Sequence, residues 1–150
     1  MDQEILDKKY RIIEKIGSGA FGEIYKIEKI SNKQIYALKA ESLNTDQKQV
    51  MLFWESKIIK LLKSRDVQSV FNVYFIGQEK SLEGLQIHVM IMDLLGPSLQ
   101  DLFESNQNRL DLETTLNIGI QIIKIIKDIH FQGILYRDVK PENFLIGNQR

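Results

Sequence analysis

A glycine pattern near the start of the chain restricts the possible folds more than any other feature. Gly17, Gly19 and Gly22 satisfy the pattern G-x-G-x-x-G, which occurs both in plain hairpin turns and in phosphate-binding loops. A dinucleotide-binding α/β domain requires a helix directly after such glycines, followed by a parallel strand. Here residues 24–27 resemble a strand instead, and another strand-like run follows at 34–39. The pattern therefore predicts a glycine-rich turn between antiparallel strands, where the backbone can approach a phosphate without side-chain clash.

The later patterns predict two more strands and then helices. Gly96-Pro97 marks a boundary, because proline cannot continue a strand ladder and is tolerated at the start of a helix. Ser98 to Asp101 resembles a capping box for a short helix. The first three expected strands are at 11–16, 24–27 and 34–39. After them we expect a helix at 46–63 and strands at 70–76 and 87–92. A short helix from Ser98, a long helix at 112–129, and strand-like runs at 134–135 and 144–146 complete the predicted elements.

Composition excludes several classes of function. Lys and Arg total 20 and are balanced by 20 Asp and Glu, so the broad positive field used to bind nucleic acids or anionic membranes is absent. With no cysteine and two histidines, disulfide frameworks and Cys/His zinc sites are excluded. The longest apolar region, 118–129, is interrupted by polar residues and does not span a membrane. We expect a cytoplasmic or nuclear location, because the composition fits a reducing compartment and no secretory signal opens the chain.

A lysine and a glutamate occupy positions where apolar residues would be expected. Alternation along 35–39 puts Lys39 on the same face as Ala37. In the helix at 46–63, Glu55 lies on the apolar side, between Ile59 and Leu62. Burying an unpaired carboxylate is costly, so Glu55 predicts a cationic partner, for which Lys39 is the natural candidate. The alternative is a glutamate at the edge of the helix face whose carboxylate reaches water.

The most specific signal is the segment Arg-Asp-x-Lys-Pro-x-Asn at 137–143. Asp138 can orient an attacking hydroxyl or accept its proton, and Lys140 can neutralise charge on a transferring phosphoryl group. The side-chain oxygen of Asn143 suits a hard divalent cation. Leu145, just after this segment, is typical of a strand core or of the floor of a flat pocket. The segment therefore predicts a polar loop that carries phosphoryl-transfer chemistry.

Taken together, these elements resemble the protein kinase signature set from about Tyr10 to the end of the chain. Four motifs match the set: the glycine loop, the Ala-Leu-Lys that ends at Lys39, Glu55 as the glutamate of helix αC, and Tyr-Arg-Asp to Asn143 as the catalytic loop. Within the kinases, YALKAES, LLGPSLQDLF and YRDVKPENFLIG resemble the casein kinase 1 family of Ser/Thr kinases. Tyr136, in place of the usual histidine, is most similar to the gamma-type members.

The resemblance implies a bilobal α+β fold that binds ATP and Mg²⁺ in a cleft. Residues 1–95 would form the N-lobe and hinge, with a five-stranded antiparallel sheet and helix αC. Residues 96–150 would form the first helices and the catalytic loop of an incomplete helical C-lobe. The implied catalytic residues are Asp138 and Lys140, with Asn143 as metal ligand. The implied nucleotide-binding residues are Ile16, Gly17, Gly19, Gly22, Ile24, Ala37, Lys39, Glu55, the gatekeeper Met92, Asp93 and Leu95 through the hinge backbone, and Leu145.

The chain departs from the family at its end, since the family continues with an Asp-Phe-Gly metal motif and more helices beyond the position of Arg150. We expect a truncated product, a fragmentary gene model, or a half that pairs with another chain. Packing leads to the same expectation. The apolar residues of the helix at 112–129 cover roughly 220° of arc, against about 100° for a surface helix. An apolar patch should therefore stay exposed, to be covered by the rest of the C-lobe or by a partner chain.

Three functions are compatible with these residues. The first is ATP-dependent transfer of a phosphoryl group to Ser or Thr of protein substrates, by this chain only if the missing half is supplied. The second is a catalytically inactive, pseudokinase-like module that binds nucleotide or a partner. The third treats the motifs as relics on a poorly folding chain. For the 150 residues alone we expect weak nucleotide binding and no turnover; the family's acidic or phosphate-primed substrates depend largely on basic residues beyond Arg150.

Overall fold

An antiparallel sheet forms most of the first of two units into which the chain divides. The computed structural model describes residues 4–19, 22–42, 51–80 and 84–147. One unit comprises Met1–Lys63 and Val70–Leu94, and the other comprises Ser64–Ser69 and Leu95–Arg150. The second unit thus includes residues 64–69, which the predicted division at 95/96 assigns to the first.

Six described strands form one sheet in the order β1-β2-β3-β4-β6-β5, with every neighbouring pair antiparallel. The strands are β1 (Glu4–Ile5), β2 (Tyr10–Gly19), β3 (Gly22–Lys29), β4 (Ile35–Ser42), β5 (Val73–Lys80) and β6 (Gln86–Met92). The prediction of five strands is therefore wrong. The additional strand, β1, pairs with the start of β2, with Ile5 opposite Tyr10. Two residues are too few to show a strand period, and the turn at 6–8 adopts positive φ without any glycine.

Alternation along β4 and β6 gives the sheet two different faces. On one face, Leu38 and Ala40 of β4 join Val89 and Ile91 of β6 in an apolar core that includes Ile27. The register then puts Ala37, Lys39 and Glu41 on the other face, opposite Met92, Met90 and His88 respectively. Helix α1 (Met51–Ser64) lies against this second face, where the ring of Phe53 stands edge-on to His88 at 5.2 Å between centroids. Lys39 and α1 are thus on the same side of the sheet.

Helix α1 buries one residue that a helical wheel places on its polar side. Ile59 and Leu62 are buried as expected, together with Leu52 and Ser56. The helical wheel assigns Ser56 to the polar side, and this is wrong, because its side chain is only 2% exposed. Its hydroxyl donates to the Phe53 carbonyl of the same helix at 2.8 Å, which satisfies the buried polar group. The predicted first turn of the helix, before Met51, lies outside the described residues.

Two helices and a short 3-10 turn make up the described part of the second unit. They are α2 (Leu99–Ser105), α3 (Leu112–Phe131) and the turn Pro141–Asn143. The predicted capping box is confirmed: Ser98 Oγ accepts from the Asp101 N–H at 3.1 Å, and the Asp101 carboxylate accepts from the Ser98 N–H at 2.8 Å. Asp111 caps α3 by accepting from the Thr114 N–H at 2.8 Å. No helix in the described ranges is long and apolar enough to cross a membrane.

The segment around Leu145 is tied to the start of α2 and forms no extended strand. Leu145 makes only an isolated bridge with Ser98. On either side of it, the Ile146 N–H donates to Pro97 O at 2.9 Å, and the Leu99 N–H donates to Phe144 O at 2.9 Å. The strand-like runs predicted at 134–135 and 144–146 are therefore wrong as regular strands. Both are too short to distinguish a strand from an irregular apolar segment.

The predicted exposed apolar patch on α3 is confirmed. Leu112 is 74% exposed, Leu116 57% and Ile123 66%. Of the residues in α3, only Ile129 is classed as buried. An apolar face of this extent on a described helix leaves a large area of hydrocarbon in contact with water.

Candidate functional site

Lys39 and Glu55 meet on the helix-facing side of the sheet. The Lys39 ammonium donates to Glu55 Oε2 at 2.6 Å, and the two side chains are 21% and 36% exposed. Strand β4 presents the lysine, and helix α1 presents the glutamate. The predicted pairing is confirmed, and the Glu55 carboxylate is directed at the ammonium while its side chain stays partly exposed. An ion pair with this exposure contributes little to stability, so its main physical effect is to hold the ammonium in one place.

The glycine pattern lies at the end of the β2–β3 hairpin. The two strands remain paired as far as Gly19 opposite Gly22, while Ala20 and Phe21 lie outside the described residues. No described atom is within 4 Å of a Cβ built at Gly19, and at Gly17 the nearest is Ile24 Cβ at 3.7 Å. These two positions leave the backbone uncovered, as the approach of a phosphate requires.

Glycine is required at position 22 for a different physical reason. Its φ of +122° lies in the left-handed region, and a Cβ there would be 2.0 Å from the Ala40 carbonyl oxygen of β4. Backbone packing inside the sheet therefore requires glycine at this position. The sequence pattern treats the three glycines as equivalent, whereas the structure separates them.

Four of the predicted nucleotide-binding residues share the face of the sheet that carries α1. Ile24 is opposite Lys39, and Ala37 is opposite Met92, so the four side chains lie on the same side. Ala37 is 4% exposed, so its small side chain is almost fully covered. Ile16 lies at a register shift between Lys15 and Gly17 and is 46% exposed. The first unit thus places apolar side chains beside one fixed ammonium group.

The predicted hinge residue Asp93 is held by two side chains that the sequence analysis missed. The Asp93 carboxylate accepts from the backbone N–H and the side-chain amide of Asn72, both at 2.8 Å, and from the Tyr74 hydroxyl at 2.6 Å. Its own N–H donates to Asn72 O at 3.2 Å. These contacts anchor the end of β6 to the start of β5. No sequence pattern links residues 21 positions apart, so the partners could not be predicted. Leu95, the other predicted hinge contact, belongs to the second unit.

Asp138, Lys140 and Asn143 form one hydrogen-bonded cluster in the second unit. Asp138 Oδ2 is 3.0 Å from Lys140 Nζ, and the Asn143 amide donates to both Oδ2 and the backbone O of Asp138 at 2.8 Å. The 3-10 turn brings Asn143 back toward Asp138. The hydrogen bond from Lys140, followed by that from Asn143, holds the pKa of Asp138 below its ordinary value. Asp138 in turn raises the pKa of Lys140. The cluster is therefore an ionised carboxylate beside a charged ammonium.

The orientation of the Asn143 amide suits a metal ligand. Its nitrogen is directed at Asp138 by two hydrogen bonds, so the amide oxygen, which is the hard ligand, is the atom left for other partners. Within the described ranges, no group of three or more His, Asp or Glu side chains is placed to hold a metal ion. Leu145, predicted to floor a pocket, is 47% exposed.

A histidine that the sequence analysis left unassigned supports the entrance to this loop. His130 Nε2, near the end of α3, accepts from the Tyr136 N–H at 3.2 Å. The Tyr136 ring lies 6.0 Å from that of Phe144, between centroids. The long helix is thereby connected to the residue that precedes Arg137 and Asp138.

Comparison with known protein families matches the protein kinase domain to residues 10–150. The chain belongs to the protein kinase family. Casein kinase I homolog RAG8 of Kluyveromyces lactis is 37% identical to this kinase chain over 146 residues, which cover 97% of the chain and 26% of the relative. The chain thus spans about a quarter of the length of this curated relative.

The kinase-domain match confirms the resemblance to the protein kinases, and the similarity to a casein kinase I homolog agrees with the narrower resemblance to the casein kinase 1 family. They support a kinase-like fold, with the number of strands corrected to six in the described residues. Kinases as a family use ATP and usually Mg²⁺. The roles of the individual site residues stay predictions.

Proposed function

We propose that this chain carries the nucleotide-binding and catalytic-loop parts of a casein kinase 1-type enzyme, which transfers a phosphoryl group from MgATP to Ser or Thr hydroxyls of proteins. The observation that carries the proposal is the 2.6 Å contact between Lys39 and Glu55. A cation fixed by a carboxylate on a sheet face that also carries apolar side chains is suited to binding a polyphosphate in a defined position.

The residues of the first unit fit ATP by their chemistry. The ammonium of Lys39 would bind phosphate oxygens, and the bare backbone at Gly17 and Gly19 would approach them closely. Ile24 would offer apolar surface to a flat base, and Ala37 lies on the same face of the sheet. MgATP, when bound, supplies the phosphoryl group and the metal's positive charge.

The second unit would contribute proton transfer and charge. Asp138, kept ionised by its lowered pKa, would orient the substrate hydroxyl and accept its proton. Lys140 would offset negative charge on the group in transfer, and the amide oxygen of Asn143 would ligate Mg²⁺. Leu145 and the backbone of Leu95 are proposed to contact the base.

The alternative is a module that binds nucleotide or a partner without turnover. The exposed apolar face of α3 favours it for these 150 residues alone, since the face would be covered only by more C-lobe or by a partner chain. Proteins with acidic or phosphate-primed Ser/Thr sites are the substrates proposed for the complete enzyme. A cytoplasmic or nuclear location is proposed because the 150 residues contain no cysteine.

Nucleotide binding tests the proposal directly. Trp54, the single tryptophan of the chain, precedes Glu55 and can transfer excitation energy to a fluorescent ATP analogue such as mant-ATP. We expect saturable, Mg²⁺-dependent transfer that unlabelled ATP displaces, and its loss in Lys39→Met. The matched control is Lys33→Met, which removes an exposed lysine in the β3–β4 turn that pairs with Glu28 at 3.4 Å. Equal binding by both variants would contradict the proposed site.

Phosphoryl transfer separates the two functions. We expect no transfer to casein by the 150 residues, and transfer by a longer product that supplies the Asp-Phe-Gly motif. Asp138→Asn should abolish that activity while leaving mant-ATP binding intact, because the carboxylate is proposed to act on the hydroxyl and not on the nucleotide. A longer product that binds nucleotide but transfers nothing would favour the binding module.

A further inference from the structure

A second carboxylate connects β4 to α1 close to the lysine–glutamate pair. Glu41 follows Lys39 by two residues, so both side chains lie on the helix-facing side of the strand. Glu41 Oε2 accepts from the backbone N–H of Leu52 at 3.1 Å. Leu52 is 1% exposed, so this N–H is shielded from water and depends on a protein acceptor. The contact therefore gives this shielded donor an acceptor on the neighbouring strand.

The position of Leu52 makes this bond different from an ordinary surface contact. Leu52 is the second described residue of α1, and Glu41 reaches its backbone from a different element of the fold. Glu41 thus holds α1 near its described start, whereas Lys39 holds it three residues later, at Glu55.

Two attachment points fix a helix more completely than one. A single ion pair between long side chains allows small shifts of α1 along the strand, because the side chains can follow the movement. The Glu41–Leu52 bond involves the helix backbone, so it fixes the register of α1 against β4. A cavity of about 80 Å³ lies between the two attachments, lined by Lys39, Glu41, Met51, Leu52 and Glu55.

We propose that Glu41 is a positioning residue: by accepting from the Leu52 N–H it holds α1 in the register that brings Glu55 to Lys39. The inference rests on the proposed function, since it assigns Glu41 to the binding of nucleotide through Lys39. Glu41 acts through its acceptor oxygen and not through its charge. Glutamine, which keeps an acceptor of the same length, should therefore replace it, whereas alanine should not.

A double-mutant cycle on the 150-residue chain tests this in the mant-ATP titration. Glu41→Ala should weaken Mg²⁺-dependent binding by about tenfold, the loss expected when one hydrogen bond is removed. Glu41→Gln should stay within about twofold of the parent, since the acceptor remains. The double variant Glu41→Ala/Glu55→Gln should bind no more weakly than Glu55→Gln alone, because both act on the same contact. Unchanged binding in Glu41→Ala, or fully additive losses, would overturn the proposal.

A nucleotide-free measurement keeps the test independent of the proposed function. An amine-reactive reagent followed by peptide mass spectrometry reports the labelling rate of Lys39, with Lys33 as the reference in the same digest. Glu41→Ala and Glu55→Gln should both speed the labelling of Lys39 severalfold, and Glu41→Gln should not. If the parent binds no nucleotide but labelling follows this order, the function fails and the positioning role stands. If labelling of Lys39 is the same in Glu41→Ala as in the parent, the positioning role is wrong, whatever the nucleotide does.

Discussion

At the scale of single residues, the candidate site depends on side chains whose orientation is set by a second group. Glu55 holds Lys39 in unit one, and Lys140 with Asn143 holds Asp138 in unit two. The first pairing was predictable, because a glutamate on an apolar helix face requires a cation. The support of Asp93 by Asn72 and Tyr74 was not, because only the folded sheet brings those residues together.

The acid titration of Asp138 can be predicted from its neighbours. Its depressed pKa means that the contacts from Lys140 and Asn143 are at full strength above the pKa of an unfolded aspartate and are lost as the pH falls through the folded value. NMR titration of the carboxyl carbon should therefore give a midpoint below that of an ordinary aspartate. Lys140→Ala should raise the midpoint more than Asn143→Ala does, since the hydrogen bond from Lys140 is the largest cause. The reverse order would show that the contacts differ in solution.

At the scale of elements, helices and strands could be predicted where the sequence shows a clear hydrophobic period or a helix cap. The alternation at 35–39 and the helical spacing at 112–129 correspond to β4 and α3, and the capping box at Ser98 begins α2. β1 was missed because two residues carry no period. Ser56 was misplaced because a helical wheel ranks residues by polarity, whereas this hydroxyl is satisfied by its own helix.

The β2–β3 hairpin should respond differently to alanine at its different glycines. Gly22→Ala should lower the free energy of unfolding by about 2 kcal/mol or more, because a Cβ meets the Ala40 carbonyl in a left-handed backbone. Gly19→Ala should change it by less than about 1 kcal/mol, since the added methyl group meets no described atom. Urea unfolding followed by circular dichroism measures both, and equal losses would mean that the close approach to β4 is absent.

At the scale of the whole chain, zero formal net charge accompanies a large exposed apolar face. The sequence pI is about 6.7, so electrostatic repulsion between copies is weak near neutral pH. Leu116 and Ile123 are both more than half exposed on α3. The 150 residues alone should therefore self-associate, and more strongly near pH 7 than well above it.

Substitution on α3 tests this expectation. Leu116→Glu combined with Ile123→Glu should reduce self-association measured by sedimentation velocity, with little change in the unfolding midpoint, because neither side chain is buried. Ile129→Glu should instead unfold the second unit, since that side chain is 6% exposed and a carboxylate there would lack a partner. If the double variant unfolds as Ile129→Glu does, the exposed face is packed in solution.

The close approach of Gly22 to the Ala40 carbonyl affects how to interpret relatives that have lost part of the glycine pattern. A relative that has lost catalytic activity should still keep this glycine, because its replacement would disturb the sheet. Gly17 and Gly19 make no such close approach to another strand, so other residues could replace them without disturbing the sheet. Retention of Gly22 alone is therefore weak evidence that a kinase-like gene encodes an active enzyme. Replacement of Gly17 and Gly19 is an earlier sign that activity has been lost.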